Sequence, residues 1–102
     1  MAEFNVYRVY YYSAPQYSWD VRIDLYMGGT EVGTLLFMKE GQAIPANSSP
    51  GGLPRLHFSV RHFPAIMTML KEEKPLYLSL NSANGIGTIL TTDEPVGEEE
   101  GV

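Results

Sequence analysis

The chain has 102 residues, of which 44% are hydrophobic, 12% aromatic and 19% charged, enough for one hydrophobic core and too few for two ordinary domains. It contains no cysteine, which excludes a disulfide framework, a thiolate nucleophile and any cysteine-based zinc or iron–sulfur site. The formal charge of −5 is concentrated at one end: Asp93, Glu94, Glu98, Glu99 and Glu100 lie in residues 93–102 with no base, while the other seven acids balance the seven Lys and Arg.

These properties predict a single α+β domain over residues 1–92, followed by an acidic, disordered tail over 93–102. The neutral body lacks the positive field that most nucleic-acid binders use to recruit phosphate. Glu3 and Arg8 interrupt the N-terminal aromatic run, which therefore reads as a strand rather than a signal peptide. Nowhere do 18 apolar residues run together, so no transmembrane helix and no membrane partner are expected, and a soluble protein in the cytoplasm is the default expectation.

Phe4 to Tyr12 is almost all β-branched or aromatic, with Phe4, Val6, Tyr10 and Tyr12 on one face and Tyr7, Val9 and Tyr11 on the other. Such a strand is covered on both sides or lies at an interface. Pro15 ends it, because it has no N–H to give a ladder. In residues 17–27, Tyr17, Trp19, Val21, Ile23, Leu25 and Met27 alternate with Ser18, Asp20, Arg22, Asp24 and Tyr26. This period of two predicts a strand with one buried face. Gly28-Gly29 supplies a tight hairpin turn, with Val32 to Lys39 as the returning strand. One register sets Leu25 by Val32 and Val21 by Leu36. The other sets Ile23 by Leu36 and Asp20 by Lys39, and is preferred for its charge pair. Both place Leu35 and Phe37 opposite the buried face.

Residues 40–53, with Pro45, Asn47, Pro50, Gly51 and Gly52, form the longest loop, a functional or mobile segment. Beyond Pro54, Leu56, Phe58 and Val60 face the core, and Arg55, His57, Ser59 and Arg61 face outward. Pro64 suits the first turn of a helix, whose stripe of Phe63, Ile66, Met67 and Leu70 packs on the sheet until Pro75 prevents continuation. Residues 76–80 alternate again, Asn84-Gly85 marks a hairpin turn, and Ile86 to Thr92 is the last strand. The expected fold is an antiparallel sheet of about six strands with one helix, in the order β-β-β-β-α-β-β.

Phe63-Pro64, Met69-Leu70, Lys74-Pro75-Leu76-Tyr77-Leu78 and Glu94-Pro95-Val96-Gly97-Glu98 resemble small bacterial single-domain proteins with no assigned activity. That resemblance implies a bacterial origin and carries over no site residues. The four strands followed by a helix also resemble one unit of the Whirly-type single-stranded-DNA binders. Only one such unit fits, and no nucleic-acid motif accompanies it.

The concentration of positive and titratable groups is Arg55, His57, Ser59 and Arg61, the candidate ligand-binding face; beside Asp20, Arg22 and Asp24 the favoured reading is a set of surface ion pairs of little energetic value. His57 and Ser59 lie about 7 Å apart on one strand face, too far for a nucleophile–base pair. Asp20 and Asp24 are about 13 Å apart, beyond the carboxylate spacing of glycosidases. His57 and His62 fall on opposite faces, which disfavours a metal, and no cofactor is implied. Tyr7, Tyr10, Tyr11 and Tyr12 form a candidate interface. The leading expectation is a non-catalytic interaction protein, a homodimer or the partner of another protein. The alternative is a single-stranded nucleic-acid binder using tyrosines with Arg8, Arg22, Arg55 and Arg61.

Overall fold

The computed structural model describes residues 1–92, so the expectation for the tail lies outside the described residues. The N-terminal aromatic run does not form one strand. Ala2–Phe4 (β1) pairs with Leu76–Asn81 (β6), and Val6–Tyr11 (β2) pairs with Trp19–Met27 (β3). The break falls at Asn5, whose N–H reaches the Tyr26 carbonyl at 2.9 Å. Phe4 thereby points into the core at 4% exposure.

This break divides the expected sheet into two. A four-stranded sheet has the order β2-β3-β4-β5, with Thr30–Met38 as β4 and Arg55–Ser59 as β5. A three-stranded sheet has the order β1-β6-β7, with Ile86–Thr91 as β7. Among the described residues, seven strands and one α-helix, Phe63–Glu72 (α1), thus make an α+β fold. The expectation of an all-antiparallel sheet is also corrected, because β4 and β5 run parallel. A parallel neighbour cannot be reached by a tight turn, and it requires a long crossover. Residues 39–54 are that crossover.

The Gly28-Gly29 turn closes as expected, both glycines adopting positive φ (59° and 85°) as a two-residue hairpin requires. Neither expected register persists beyond it. Tyr26 pairs with Glu31 but Leu25 pairs with Gly33, so Val32 is an extra residue, a β-bulge. A second irregularity at Asp20 sets Trp19 by Met38 while Val21 faces Phe37. A one-residue slip exchanges the faces of a strand. Leu35 and Phe37, expected outside, are therefore fully buried. Trp19, expected inside with Val21, joins the outer face beside Met38. The slip also moves the Thr34 hydroxyl out of the core, where it would have needed a partner.

The core lies between the two sheets and the helix. It contains Phe4, Val21, Ile23, Leu25, Leu35, Phe37, Leu56, Leu70, Leu76 and Leu78, flanked by Phe63, Ile66 and Met67. The expected helix stripe and the inward face of β5 therefore pack as the 3.6-residue and two-residue periods indicate. Two glycines let the sheets approach closely. A Cβ at Gly33 would meet Leu78 Cδ2, and one at Gly87 would meet Leu56, both closer than 3.0 Å.

Candidate functional site

The face of the four-stranded sheet turned away from the core is not bare. Because β4 has slipped by one residue, cross-strand rows on this face read Arg8, Asp24, Thr34, Arg55 and Tyr10, Arg22, Leu36, His57. Asp24, Thr34 and Arg55 of the first row and Arg22, Leu36 and His57 of the second, with Trp19, Met38, Glu31, Ser18 and Pro45, line a pocket of about 540 Å³. That volume lies within the usual range for small-ligand sites.

At its base Asp24 is 5% exposed. Arg22, two residues earlier on the same strand face, neutralises it through Nε at 3.1 Å from Oδ1 and Nη2 at 3.1 Å from Oδ2. Burial opposes the Arg22 charge, but Asp24 and the neighbouring Tyr12 and Tyr10 outweigh it and hold the guanidinium protonated. The Tyr10 ring lies 4.4 Å from the Arg22 guanidinium carbon, a cation–π contact. Thr34 Oγ1 lies 3.2 Å from Glu31 Oε2 and 3.5 Å from Asp24 Oδ1, so its single proton is shared between two carboxylates.

One wall is aromatic: Trp19 stacks on Tyr17 (4.8 Å between ring centroids) and meets Tyr12 edge-on at 6.0 Å. Lys39 Nζ secures this wall by donating to the Ala14 carbonyl at 3.0 Å and to that of Tyr17. The opposite wall is held by Asn47, which accepts the His57 N–H at 2.8 Å and donates to the Gly85 carbonyl at 2.9 Å. One side chain of the long loop thus ties β5 to the β6–β7 turn.

Two ring nitrogens at this site are buried without a hydrogen-bond partner, Trp19 Nε1 and His57 Nδ1. Burial and the charge of Arg55 push the His57 imidazole below its ordinary value, with the backbone of Ala46 opposing in part. Arg55 itself has no ion pair among the described residues.

The four residues expected to form a ligand face divide into two groups. Arg55 and His57 line the pocket. Ser59 and Arg61 do not: the Ser59 hydroxyl caps the turn at Val60–His62 by accepting the Arg61 N–H at 3.3 Å, and Arg61 pairs with Glu40 at 3.4 Å. The tyrosines divide likewise. Tyr7 packs on the core, Tyr10 and Tyr12 contact the pocket residues Arg22 and Trp19 without lining the pocket themselves, and Tyr11, 72% exposed, leans edge-on against Phe63 at 5.5 Å. Sequence reasoning sets Arg22 and Asp24 beside Arg55 and His57 as surface ion pairs, but does not join Trp19, Thr34 and Leu36 to them. The signal that could have linked them is the length of residues 39–54, which is enough for a crossover to a parallel β5 beside β4.

A second cavity of about 730 Å³ lies between the β1–β2 break and the C-terminal end of α1, lined by Phe4, Tyr7, Leu70 and Leu76 among others. It is larger, but among the described residues none of the buried side-chain atoms without a hydrogen-bond partner lines it. Among the described residues no group of three or more His, Asp or Glu could hold a metal ion, and no helix is long and apolar enough to cross a membrane. No protein-family model matches the chain, nor does any curated protein or solved structure.

Proposed function

We propose that this chain is a non-catalytic binding protein whose recognition site is the pocket on the outer face of the four-stranded sheet. The observation that carries this reading is the pair of buried ring nitrogens, Trp19 Nε1 and His57 Nδ1, left without partners at a pocket of ligand size. A buried polar group without a partner costs about 1–3 kcal/mol, and a bound molecule that reaches these two nitrogens on a small rotation of their rings would recover it. The test is a fragment screen by two-dimensional NMR. Peak shifts should cluster on Trp19, Leu36 and His57. Shifts confined to the cavity beside α1, or scattered over the surface, would count against the pocket.

Self-association is the second reading. Val6 and Tyr11 are 54% and 72% exposed on β2, an edge strand of its sheet, and an unpaired edge invites pairing with another chain. The burial of Leu35 and Phe37 removes one of its sequence grounds. Light scattering at high concentration decides it, a clean monomer ruling it out. For the single-stranded nucleic-acid alternative, the arginines give limited support: Arg22 and Arg61 are already paired with Asp24 and Glu40.

A further inference from the structure

We propose that the ligand of this pocket is a small monoanionic carboxylate with a ring-sized apolar body and a second hydrogen-bond acceptor at its far end. The inference rests on the pocket being a binding site and adds the chemistry of what it takes. It follows from which lining groups remain uncommitted. Arg22 and Asp24 neutralise each other, with Nη2 bonded to Oδ2 and Nε outside hydrogen-bond geometry, and the Thr34 hydroxyl is shared by Glu31 and Asp24. What remains besides Arg22 Nε and His57 Nδ1 is a guanidinium at Arg55 and an indole N–H at Trp19. Both are donors that cannot accept a hydrogen bond. The ligand must therefore bring acceptors.

One of these donors is charged, and a guanidinium pairs best with a planar carboxylate in two parallel hydrogen bonds. Its field already reaches the pocket wall, since Arg55 is one cause of the lowered His57 basicity. The formal charges of the lining cancel, Arg22 and Arg55 against Asp24 and Glu31. With Arg22 held by Asp24, Arg55 is the one lining cation without a carboxylate partner; it can meet a single negative charge, and a second negative charge would have no cation. Leu36, Met38 and Pro45 contribute apolar surface to the lining, beside the polar Ser18, Thr34 and His57.

The span also limits the ligand. Arg55 pairs with Thr34, and Trp19 pairs with Met38, so their backbones are two strands and four residues apart, on the order of 16 Å. Both side chains line the pocket and shorten that gap. A body of one six-membered ring carrying the second acceptor opposite the carboxylate suits it.

The test uses 4-hydroxybenzoate and its neutral isostere 4-hydroxybenzamide. Trp19 is the only tryptophan in the chain, so its indole N–H gives a single, assignable NMR peak. The carboxylate should move that peak saturably and bind at least about tenfold more tightly than the amide, a difference of about 1.4 kcal/mol. Arg55→Ala should erase that preference, and Arg61→Ala should leave it intact. Equal binding of acid and amide, or an unchanged preference in Arg55→Ala, overturns the carboxylate inference and leaves the pocket standing. If neither compound moves the Trp19 peak at millimolar concentration while fragments of other chemistry do, the ligand class alone is wrong; if no fragment moves it, both readings fall.

Discussion

Gly33→Ala probes the closest approach of the two sheets. Gly33 does not have positive φ, so alanine is acceptable to its backbone and should by itself stabilise by about 0.4–1 kcal/mol through the unfolded chain. Space decides otherwise. The added Cβ would lie closer than 3.0 Å to Leu78 Cδ2 and 3.1 Å from the Pro54 carbonyl oxygen. Leu78 is 1% exposed and has little room to rotate away. The Pro54 carbonyl accepts the Thr34 N–H at 3.0 Å and is fixed by that bond. Overpacking of this kind costs about 1–3 kcal/mol, which outweighs the entropic gain, so the net effect should be destabilising. Leu78→Ala alone should cost about 2–5 kcal/mol as a buried cavity opens. The two changes should compensate when combined, because the Cβ at 33 enters the space that Leu78 vacates. A coupling energy of about 0.5–3 kcal/mol is expected for such a contacting pair. Urea unfolding followed by far-UV circular dichroism measures all four corners of the cycle. Simple additivity, or a Gly33→Ala chain more stable than wild type, would refute the close-packing argument.

Leu70→Ala should cost about 2–5 kcal/mol, because Leu70 is the buried anchor of α1, whereas Arg55→Ala should change stability by no more than about 0.5 kcal/mol; thermal melts compare the two directly. Asn47→Ala should lose about 1–3 kcal/mol, since it strands the partly buried His57 N–H, and hydrogen exchange at that amide should accelerate. The lowered His57 basicity means that the unfolded chain takes up a proton before the folded one does. Stability should therefore fall as pH drops below about 6.5, the ordinary histidine value, and level off once the folded imidazole is also protonated. A urea midpoint that shows the same pH dependence in His57→Gln as in wild type would locate the effect elsewhere.

The local elements are legible in the sequence because each depends on a few neighbouring residues. The helix stripe Phe63, Ile66, Met67 and Leu70 packs as its spacing indicates. The Gly28-Gly29 turn needs only the positive φ that glycine allows. The Asn84-Gly85 turn is made by Gly85 at φ 75° and by the Asn84 side chain accepting the Ile86 N–H at 3.0 Å. Which strands pair is not local information. Phe4 and Val6 read as one strand because both are good strand residues, and only the competing partners β6 and β3 break the run at Asn5. The parallel β4–β5 pair is non-local too, being the consequence of a connection rather than of either strand's composition.

The bulges had the largest effect on the site. Strict alternation from Tyr17 to Met27 gives no hint that Asp20 is extra, and Val32 is as good a core residue as Gly33 is a poor one. The slip becomes favourable only when the second sheet is present. Gly33 then receives Leu78, and Leu35 and Phe37 fill the space between the layers. Its cost on the other face is that Leu36, Met38 and Trp19 turn outward, where bare apolar surface would be unfavourable. Residues 39–47 and the Tyr12, Tyr17 and Trp19 rings gather over that surface, leaving Leu36 and Met38 only 7% and 3% exposed. The pocket is the part of this face they do not close. The candidate site thus exists because of the same one-residue slip that completes the core, and a reading of the sequence that misses the slip must also miss the site.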